Sequence, residues 1–184
     1  GRQMHQRRPI RHHPNGKTMK FPKLWLFSDL RNDSILEQSI ARLPRFSGIV
    51  FRHYHLDDEY REDRFQQIRR LVRRYGHILL LAGSPRLARL WKADGVHGRD
   101  WSAIETRSLI HSAPVHDPAE MAIAKRHGAE LLFISPIFRT RSHPAARPMN
   151  RMMLKHMMRR SDTPVILLGG MSAHRFRTLR LSSA

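Results

Sequence analysis

Short apolar segments alternate with amphipathic ones along most of this chain. Each short segment is rich in Ile, Leu, Val or Phe and stops abruptly at Gly, Ser, Thr or a charged residue, which is typical of a buried β-strand that leads into a loop. On this basis we predict strands at residues 24–27, 49–53, 78–82, around 96, 109–113, 131–137 and 165–168.

The segments between these strands repeat their apolar residues at helical spacing. In residues 59–74, for example, the apolar side chains from Phe65 to Val72 share one face of a helix. Asp117 is placed to cap a later helix. We predict helices at residues 34–43, 59–74, 85–91, 118–127, 150–160 and 173–179.

Alternating strands and helices predict parallel strands joined by right-handed crossovers. The expected fold class is therefore α/β, of the (β/α)8 TIM-barrel type. We count seven strand–helix units and no eighth strand. A closed barrel usually takes roughly 200 residues or more, and residues 21–184 are fewer. We therefore expect one barrel domain over residues 21–184 that is truncated at its C-terminus, with unpaired edges on its first and seventh strands.

Residues 1–20 lack apolar periodicity and contain six Lys and Arg residues but no acid, which predicts a disordered basic leader. No apolar segment is long enough to cross a membrane, so we expect no membrane partner. The chain has no Cys. It therefore has no disulfide or thiolate chemistry, which fits a reducing compartment such as the cytoplasm.

The chain is strongly basic, with 34 Lys and Arg residues against 15 Asp and Glu and a formal charge of +19. Such a charge favours anionic partners, either nucleic acid or phosphorylated small molecules. A general preference for Arg at the surface explains the same charge equally well.

Three places in the pattern could carry chemistry. Gly169 and Gly170 follow a buried strand, where backbone N–H groups can approach a phosphate, although a tight turn into a helix also favours this pair. Period-two alternation turns Arg52 toward the barrel interior, together with Val50 and Tyr54. A guanidinium there suits a diphosphate, because its planar fork can bond two oxygens at once.

The same alternation turns His53 and His55 away from the interior. A His-x-His pair can start a metal site, but no Asp-rich cluster accompanies this one. We therefore favour a non-metal role for both histidines.

Two longer motifs carry a family resemblance. Residues 87–97 contain Leu-Ala followed by Lys-Ala-Asp-Gly-Val-His, and residues 135–143 read Ser-Pro-Ile-Phe-Arg-Thr-Arg-Ser-His. These segments resemble the Leu-Ala…Gly-Ala-Asp-Gly-Val-His and Gly-Pro-(Ile/Val)-Phe-x-Thr-x-Thr-Lys motifs of the thiamine-phosphate synthase family and its thiazole-tautomerase relatives. Tautomerases have a His where this chain has Pro136, so the resemblance is to the synthase branch.

The resemblance implies a transferase of thiamine biosynthesis. Such an enzyme joins hydroxymethylpyrimidine diphosphate to thiazole phosphate, releases pyrophosphate and requires Mg²⁺. It implies that the partners are phosphorylated small molecules, and a homo-oligomer stays possible. The roles implied are diphosphate contacts for Arg52 and His143, a magnesium contact for Asp100, and phosphate or substrate binding for Tyr54, Thr140, Ser142, Gly169 and Gly170.

The chain departs from the family at several positions. Val50 and Tyr54 replace the Gln and Lys of a Gln-x-Arg-x-Lys pattern. Residues 82–84 read Ala-Gly-Ser where the family has an Asn-Asp pair that contacts magnesium. Pro114 replaces a Ser near the pyrimidine, although His116 matches the His that follows it.

These departures leave two alternatives open. One is a catalytically impaired relative that still binds a phosphate of the thiamine pathway. The other is a nucleic-acid-binding protein, which rests on charge alone, since none of the usual helix-turn-helix, zinc-finger or aromatic-platform signatures is present.

Overall fold

The computed structural model describes residues 21–134, 151–159, 165–168 and 178–179. Its strands are β1 (Trp25–Phe27), β2 (Gly48–Phe51), β3 (Ile78–Leu81), β4 (Gly95–His97), β5 (Ile110–Val115), β6 (Leu131–Ile134), β7 (Val165–Leu168) and β8 (Thr178–Leu179). Its α-helices are α1 (Leu36–Arg42), α2 (Asp58–Tyr75), α3 (Pro85–Leu90), α4 (Pro118–Arg126) and α5 (Arg151–Arg159), and a 3-10 turn (Asp33–Ile35) leads into α1.

The eight described strands form one sheet in chain order. Strands β1 to β6 are parallel and form a curled half-barrel, with pairs such as Trp25↔Gly48 and Leu80↔Gly95 fixing the register. Strand β7 continues parallel to β6, and β8 runs antiparallel to β7. The predicted α/β class is therefore confirmed. A closed TIM barrel with seven strand–helix units is not, because no pairing between β8 and β1 occurs among the described residues.

The last predicted helix, residues 173–179, is wrong at its end. Thr178 and Leu179 form β8, paired with Leu168 and Leu167 of β7. The open edge of β7 offers unpaired backbone groups, and pairing with them outweighs the helical spacing of this short segment. The described chain thus has an eighth strand, antiparallel rather than parallel. Residues 1–20, the predicted leader, and residues 173–177 lie outside the described part.

The two faces of the sheet pack differently. The outer face places Leu26, Phe51 and Leu81 against the helices, where α2 contributes Phe65 and Ile68. The inner face carries a second apolar cluster made by alternate residues of the same strands: Trp25, Phe27, Val50, Ile78, Leu80, Ala82, Ile110, Leu131 and Phe133. This alternation is what turns selected polar residues toward the concave side.

Helix ends agree with the sequence signals. The Asp117 carboxylate accepts a hydrogen bond from the backbone N–H of Glu120 at 2.8 Å, so the predicted cap is confirmed. Asp57 and Ser84 cap α2 and α3 in the same way. Helix α2 ends at Gly76, whose φ of 71° is the left-handed conformation that glycine tolerates best. None of the described helices is both long enough and apolar enough to cross a membrane.

Candidate functional site

Parallel strands all end on one side of a sheet, which we call the carboxyl edge; the opposite side is the amino edge. Three of the residues predicted to bind substrate or magnesium, Arg52, Tyr54 and Asp100, follow β2 or β4 at the carboxyl edge. In open and closed α/β sheets alike, this is the edge at which ligands bind. The candidate site therefore lies at this edge.

Arg52 follows β2 directly and turns toward the inner face, as predicted. Its guanidinium carbon lies 5.3 Å from the centroid of the Phe27 ring. Its Nε donates to the backbone oxygen of Ser28 at 3.0 Å, and its Nη2 lies 3.3 Å from a carboxylate oxygen of Asp29. Burial lowers the pKa of Arg52 and the Asp29 charge partly offsets this, so the group stays protonated.

The free donors of Arg52 make it suitable for anion binding. Its Nη1 has no hydrogen bond to any residue in the described part of the chain, and the side chain is 25% exposed. Arg52 is thus a fixed cation with donors left over at the mouth of the curved sheet. Donors that are held in place in advance can stabilise negative charge on a bound anion without reorganising.

His97, the last residue of β4, forms the floor beside Arg52. Its ring lies 5.5 Å from those of Phe27 and Phe133, in edge contact with both. Its Nδ1 and the Ser112 Oγ of β5 are 2.8 Å apart. Burial, with smaller contributions from Arg52 and His111, lowers the pKa of His97 to about 3. The ring is therefore neutral and adds no charge to that of Arg52.

Ser28, His53 and Asp33 form a hydrogen-bonded chain behind Arg52. Nε2 of His53 lies 2.6 Å from Asp33, and its Nδ1 lies 2.8 Å from the Ser28 hydroxyl. Burial lowers the pKa of His53, although Asp33 opposes this shift, so the ring is neutral near pH 7. The Asp33 carboxylate can only accept, so Nε2 carries the proton and Nδ1 accepts from Ser28.

The histidine pair does not form a metal site in the described part of the chain. His53 is fully buried, stacked on Phe51 at 4.4 Å, and both of its nitrogens are engaged. His55 lies 5.2 Å from it, ring to ring. No group of three potential metal ligands occurs among the described residues.

Tyr54 is placed differently from our prediction. Strand β2 stops at Phe51, and His53 adopts a left-handed φ of 41°, which breaks the period-two alternation. Tyr54 is consequently 69% exposed, and its ring lies 5.5 Å from the guanidinium carbon of Arg61. It does not share the inward face with Val50 and Arg52.

Arg61 of α2 joins the ends of β2 and β3. It donates to the backbone oxygen of Arg52 at 2.7 and 3.0 Å and to that of Ala82 at 2.6 Å. It is only 8% exposed and forms no ion pair with a described carboxylate. Burial lowers its pKa. The carbonyl groups that hold it are at the strand ends, so Arg61 fixes the backbone beneath the site.

Asp100 lies on an anchored loop after β4. The backbone oxygen of Gly98 accepts from His111 Nε2 at 2.8 Å, and that of Arg99 accepts from His127 Nδ1 at 2.9 Å. The Arg99 side chain pairs with Glu120. Asp100 itself is exposed. Asp94 fixes the turn before β4, since its carboxylate accepts from the backbone N–H of Leu79 at 2.8 Å.

Of the two positions expected to contact magnesium, the described residues keep a carboxylate at one. At residues 82–84 no carboxylate replaces the family's Asn-Asp pair, and the Ser84 hydroxyl is occupied as the cap of α3. Asp100 is then the remaining carboxylate of the two expected positions. One carboxylate with substrate oxygens and water is an ordinary arrangement for Mg²⁺.

The end of β5 contains another position at which the chain departs from the family. Pro114 lies where the family has Ser, and the neighbouring His116 pairs with Glu120, with Nδ1 and Oε2 3.0 Å apart. The remaining predicted site residues lie outside the described residues: Thr140, Ser142, His143, Gly169 and Gly170.

Our sequence reasoning missed His97, Ser112, Ser28 and Arg61. A signal existed for the first two, because each is a polar residue on the inward phase of an otherwise apolar strand. Ser28 and Arg61 carry no such signal. Their contacts with Arg52 span 24 and 9 residues of chain and depend on how the strand ends meet.

The structure thus has an α/β fold in which a curled parallel half-barrel carries a held guanidinium, that of Arg52, at its carboxyl edge. The family model described as thiamine monophosphate synthase matches residues 31–184. Because the match covers more than half of the chain, the protein belongs to this family, and it is a transferase of the thiamine-phosphate synthase type.

Individual relatives agree with the family. A protein from Aquifex aeolicus named "Putative thiamine-phosphate synthase 2" is 28% identical over 163 residues, covering 84% of this chain and 88% of that protein. A thiamine-phosphate synthase from Caldicellulosiruptor bescii is 28% identical over 159 residues, covering 79% and 71%. The solved structure of a thiamine phosphate pyrophosphorylase from Pyrococcus furiosus superposes with a TM-score of 0.65 at 19% identity, covering 80% and 75%, which supports the fold.

Proposed function

We propose that this protein forms thiamine phosphate by joining hydroxymethylpyrimidine diphosphate to thiazole phosphate, and that Arg52 binds the diphosphate. The observation that carries the proposal is the position of Arg52 at the carboxyl edge, held through Nε and Nη2, while Nη1 bonds to none of the described residues. The family membership supplies the reaction.

The proposed reaction asks little of a catalytic base. The thiazole nitrogen attacks the methylene carbon of the pyrimidine, the carbon–oxygen bond breaks, and its electron pair leaves with the pyrophosphate. The enzyme must therefore align the two rings and stabilise charge on the leaving group. In this proposal the uncharged pyrimidine ring lies on the side of the neutral His97, and the phosphates lie on the side of the charged Arg52.

We propose further phosphate contacts from residues outside the described part of the chain. Thr140, Ser142 and His143 would bind phosphate oxygens from the segment after β6, and His143 would supply a second cation when protonated. Gly169 and Gly170 would hold the thiazole phosphate with backbone N–H groups after β7. Tyr54, exposed beside Arg61, would contact a phosphate through its hydroxyl.

Magnesium remains part of the proposal. Asp100 would hold it together with diphosphate oxygens and water, and the ion would neutralise charge on the diphosphate. We also retain the proposals of a cytoplasmic location, from the Cys-free composition, and of homo-oligomerisation. The comparisons do not favour a binding-only relative or a nucleic-acid-binding protein.

The direct test is mass-spectrometric detection of thiamine phosphate after the protein is mixed with both phosphorylated precursors and Mg²⁺. We expect product with the unmodified chain and a loss of about 100-fold or more in rate with Arg52→Ala. Folded protein that yields no product would overturn the proposed function. Full activity of Arg52→Ala would overturn the role of Arg52 alone.

A further inference from the structure

The proposed reaction assigns no role to the chain of hydrogen bonds that runs from Arg52 through Ser28 and His53 to Asp33. It begins at the backbone N–H of Arg52, which donates to the Ser28 Oγ at 3.0 Å. It continues through His53 to Asp33, which also accepts from Arg64 Nε at 2.8 Å. Ser28 and His53 are both fully buried, whereas the Asp33 side chain is 37% exposed.

We propose that Ser28 and His53 are positioning residues that hold the Arg52 guanidinium in its ligand-binding orientation. The inference rests on the proposed function, in which Arg52 binds the diphosphate. Neither residue needs to touch the substrate, and both act through Arg52.

The strand register explains why a hydroxyl is needed at Ser28. Continuing the parallel ladder from Phe27↔Val50 would pair the Arg52 N–H with the Ser28 backbone oxygen. Instead the Ser28 hydroxyl accepts this N–H, and the backbone oxygen accepts Nε of Arg52 at 3.0 Å. The hydroxyl therefore releases a carbonyl that orients the guanidinium.

His53 fixes the direction of that hydroxyl. Nδ1 of the neutral ring accepts a hydrogen bond from the Ser28 hydroxyl. The hydroxyl hydrogen then points at His53, and a lone pair of the Ser28 oxygen points at the Arg52 N–H. The ring stacks on Phe51, on the outer face that the alternation predicts for both residues, and the left-handed φ of 41° ends the strand conformation at this residue. Asp33 holds the other ring nitrogen, and this fixes the tautomer.

The chain offers a matched control at the amino edge. Ser47 is also buried and adjacent to a buried histidine, His77. Its hydroxyl donates to the backbone oxygen of Pro44 at 2.6 Å, and its N–H donates to His77 Nδ1 at 3.1 Å. Ser47→Ala therefore removes a comparable buried hydroxyl that has no path to Arg52.

The test compares steady-state kinetics of Ser28→Ala, Ser28→Thr and Ser47→Ala, with inhibition by inorganic pyrophosphate as a direct probe of the anion site. For Ser28→Ala we expect KM for the pyrimidine diphosphate and the pyrophosphate inhibition constant to rise about tenfold. KM for thiazole phosphate should stay unchanged. Ser28→Thr, which keeps the hydroxyl, should restore both values, and Ser47→Ala should leave them unchanged.

A double-mutant cycle separates this inference from the proposed function. If Ser28 acts through Arg52, adding Ser28→Ala to Arg52→Ala should not raise the pyrophosphate inhibition constant any further. The positioning role would be overturned if the effects of Ser28→Ala and Arg52→Ala on the inhibition constant were additive in free energy. It would also be overturned if Ser28→Ala raised KM equally for the pyrimidine diphosphate and for thiazole phosphate. Pyrophosphate inhibition unchanged in Arg52→Ala alone would overturn the role of Arg52 instead.

Asp33→Asn extends the test should Ser28→Ala not fold. This change keeps the shape of the side chain but removes its charge, and with it the ion pair with Arg64, at the exposed end of the chain of hydrogen bonds. We expect a smaller rise in the pyrophosphate inhibition constant, about threefold, at an unchanged KM for thiazole phosphate. An inhibition constant equal to that of the unmodified protein would contradict the inference.

Discussion

The carboxyl and amino edges of the sheet each contain a buried Ser–His pair, and they use it differently. At the amino edge, His77 accepts from the Ser47 N–H and lies 3.1 Å from the Ile40 backbone oxygen, so it satisfies main-chain groups. At the carboxyl edge, His53 links the side chains of Ser28 and Asp33. The arrangement at the amino edge gives hydrogen-bond partners to buried backbone groups. The arrangement at the carboxyl edge links the side chains of Asp33, His53 and Ser28 to the backbone N–H of Arg52.

This difference separates stability from ligand binding. Unpaired buried N–H and C=O groups are costly, so a histidine between two of them stabilises the fold wherever it lies. A histidine between ionisable and hydroxyl side chains has a further effect only if that network reaches a functional group. Changes at the amino edge should therefore lower stability, and changes at the carboxyl edge should lower ligand affinity.

The largest expected effect is at Arg52. Replacing it with Ala should reduce kcat/KM for the pyrimidine diphosphate by about 100-fold to 1,000-fold, because the donor that we propose for the leaving group is lost. Arg52→Lys should recover little, since an ammonium cannot make the Nε and Nη2 contacts together. Steady-state kinetics measure this, and the midpoint of thermal unfolding should move little. If Arg52→Ala instead lost much stability and kept normal kinetics, Arg52 would stabilise the fold rather than bind the ligand, and the comparison of the two edges would be contradicted.

Gly48 should show the opposite behaviour at the amino edge. A Cβ there would lie within 3.0 Å of the buried Trp25 indole, so Gly48→Ala must displace a core ring. We expect a loss of about 3 kcal/mol in the free energy of unfolding, measured with urea. Gly83→Ala is the control at the carboxyl edge, because its Cβ would approach no atom closer than 3.4 Å. Equal stability of the two variants would contradict the packing described.

Acidification should destabilise the protein through buried histidines at both edges. Burial lowers the pKa of His53 and His77, and that of His97 to about 3, whereas the unfolded chain titrates near 6.5. The unfolded state then binds more protons below about pH 6.5, so the free energy of unfolding falls as pH drops. For His97 this loss continues until pH approaches 3.

The slope is bounded at about 1.4 kcal/mol per pH unit for each histidine. Urea unfolding between about pH 8 and about pH 5 measures it. His77→Asn should reduce the slope without altering KM for either substrate. A free energy of unfolding that does not change over this range would contradict the neutral, buried state of these rings.

The smallest effect should come from Ser47. Ser47→Ala removes the hydrogen bond to Pro44 and should cost about 1 kcal/mol in the free energy of unfolding. Thermal denaturation detects this, and both KM values should stay at those of the unmodified protein. A raised KM for the pyrimidine diphosphate would show that the amino edge also reaches the site.

Much of this division could be predicted from the sequence, because strand and helix patterns are local. Apolar runs located β1 to β7, and the alternation around Phe51 turned Arg52 inward. The alternation failed at Tyr54, because the preceding His53 adopts a left-handed conformation that is fixed by contacts with Phe51, Ser28 and Asp33.

The rest of the site depends on contacts that local patterns do not contain. The Ser28–Arg52 bonds require the register of β1 on β2, and Arg61 requires the docking of α2 onto two strand ends. Strand β8 shows the same principle, since its antiparallel pairing with β7 overrides the helical spacing of its residues.

The measurement that tests the account most directly is the rate of thiamine phosphate formation by the unmodified chain, Arg52→Ala and Ser47→Ala, with thermal unfolding of each protein measured alongside. The account predicts product from the unmodified chain, a loss of about 100-fold or more in Arg52→Ala at a nearly unchanged unfolding midpoint, and full activity in a less stable Ser47→Ala. Undiminished product formation by Arg52→Ala, or none from the folded unmodified chain, would contradict it.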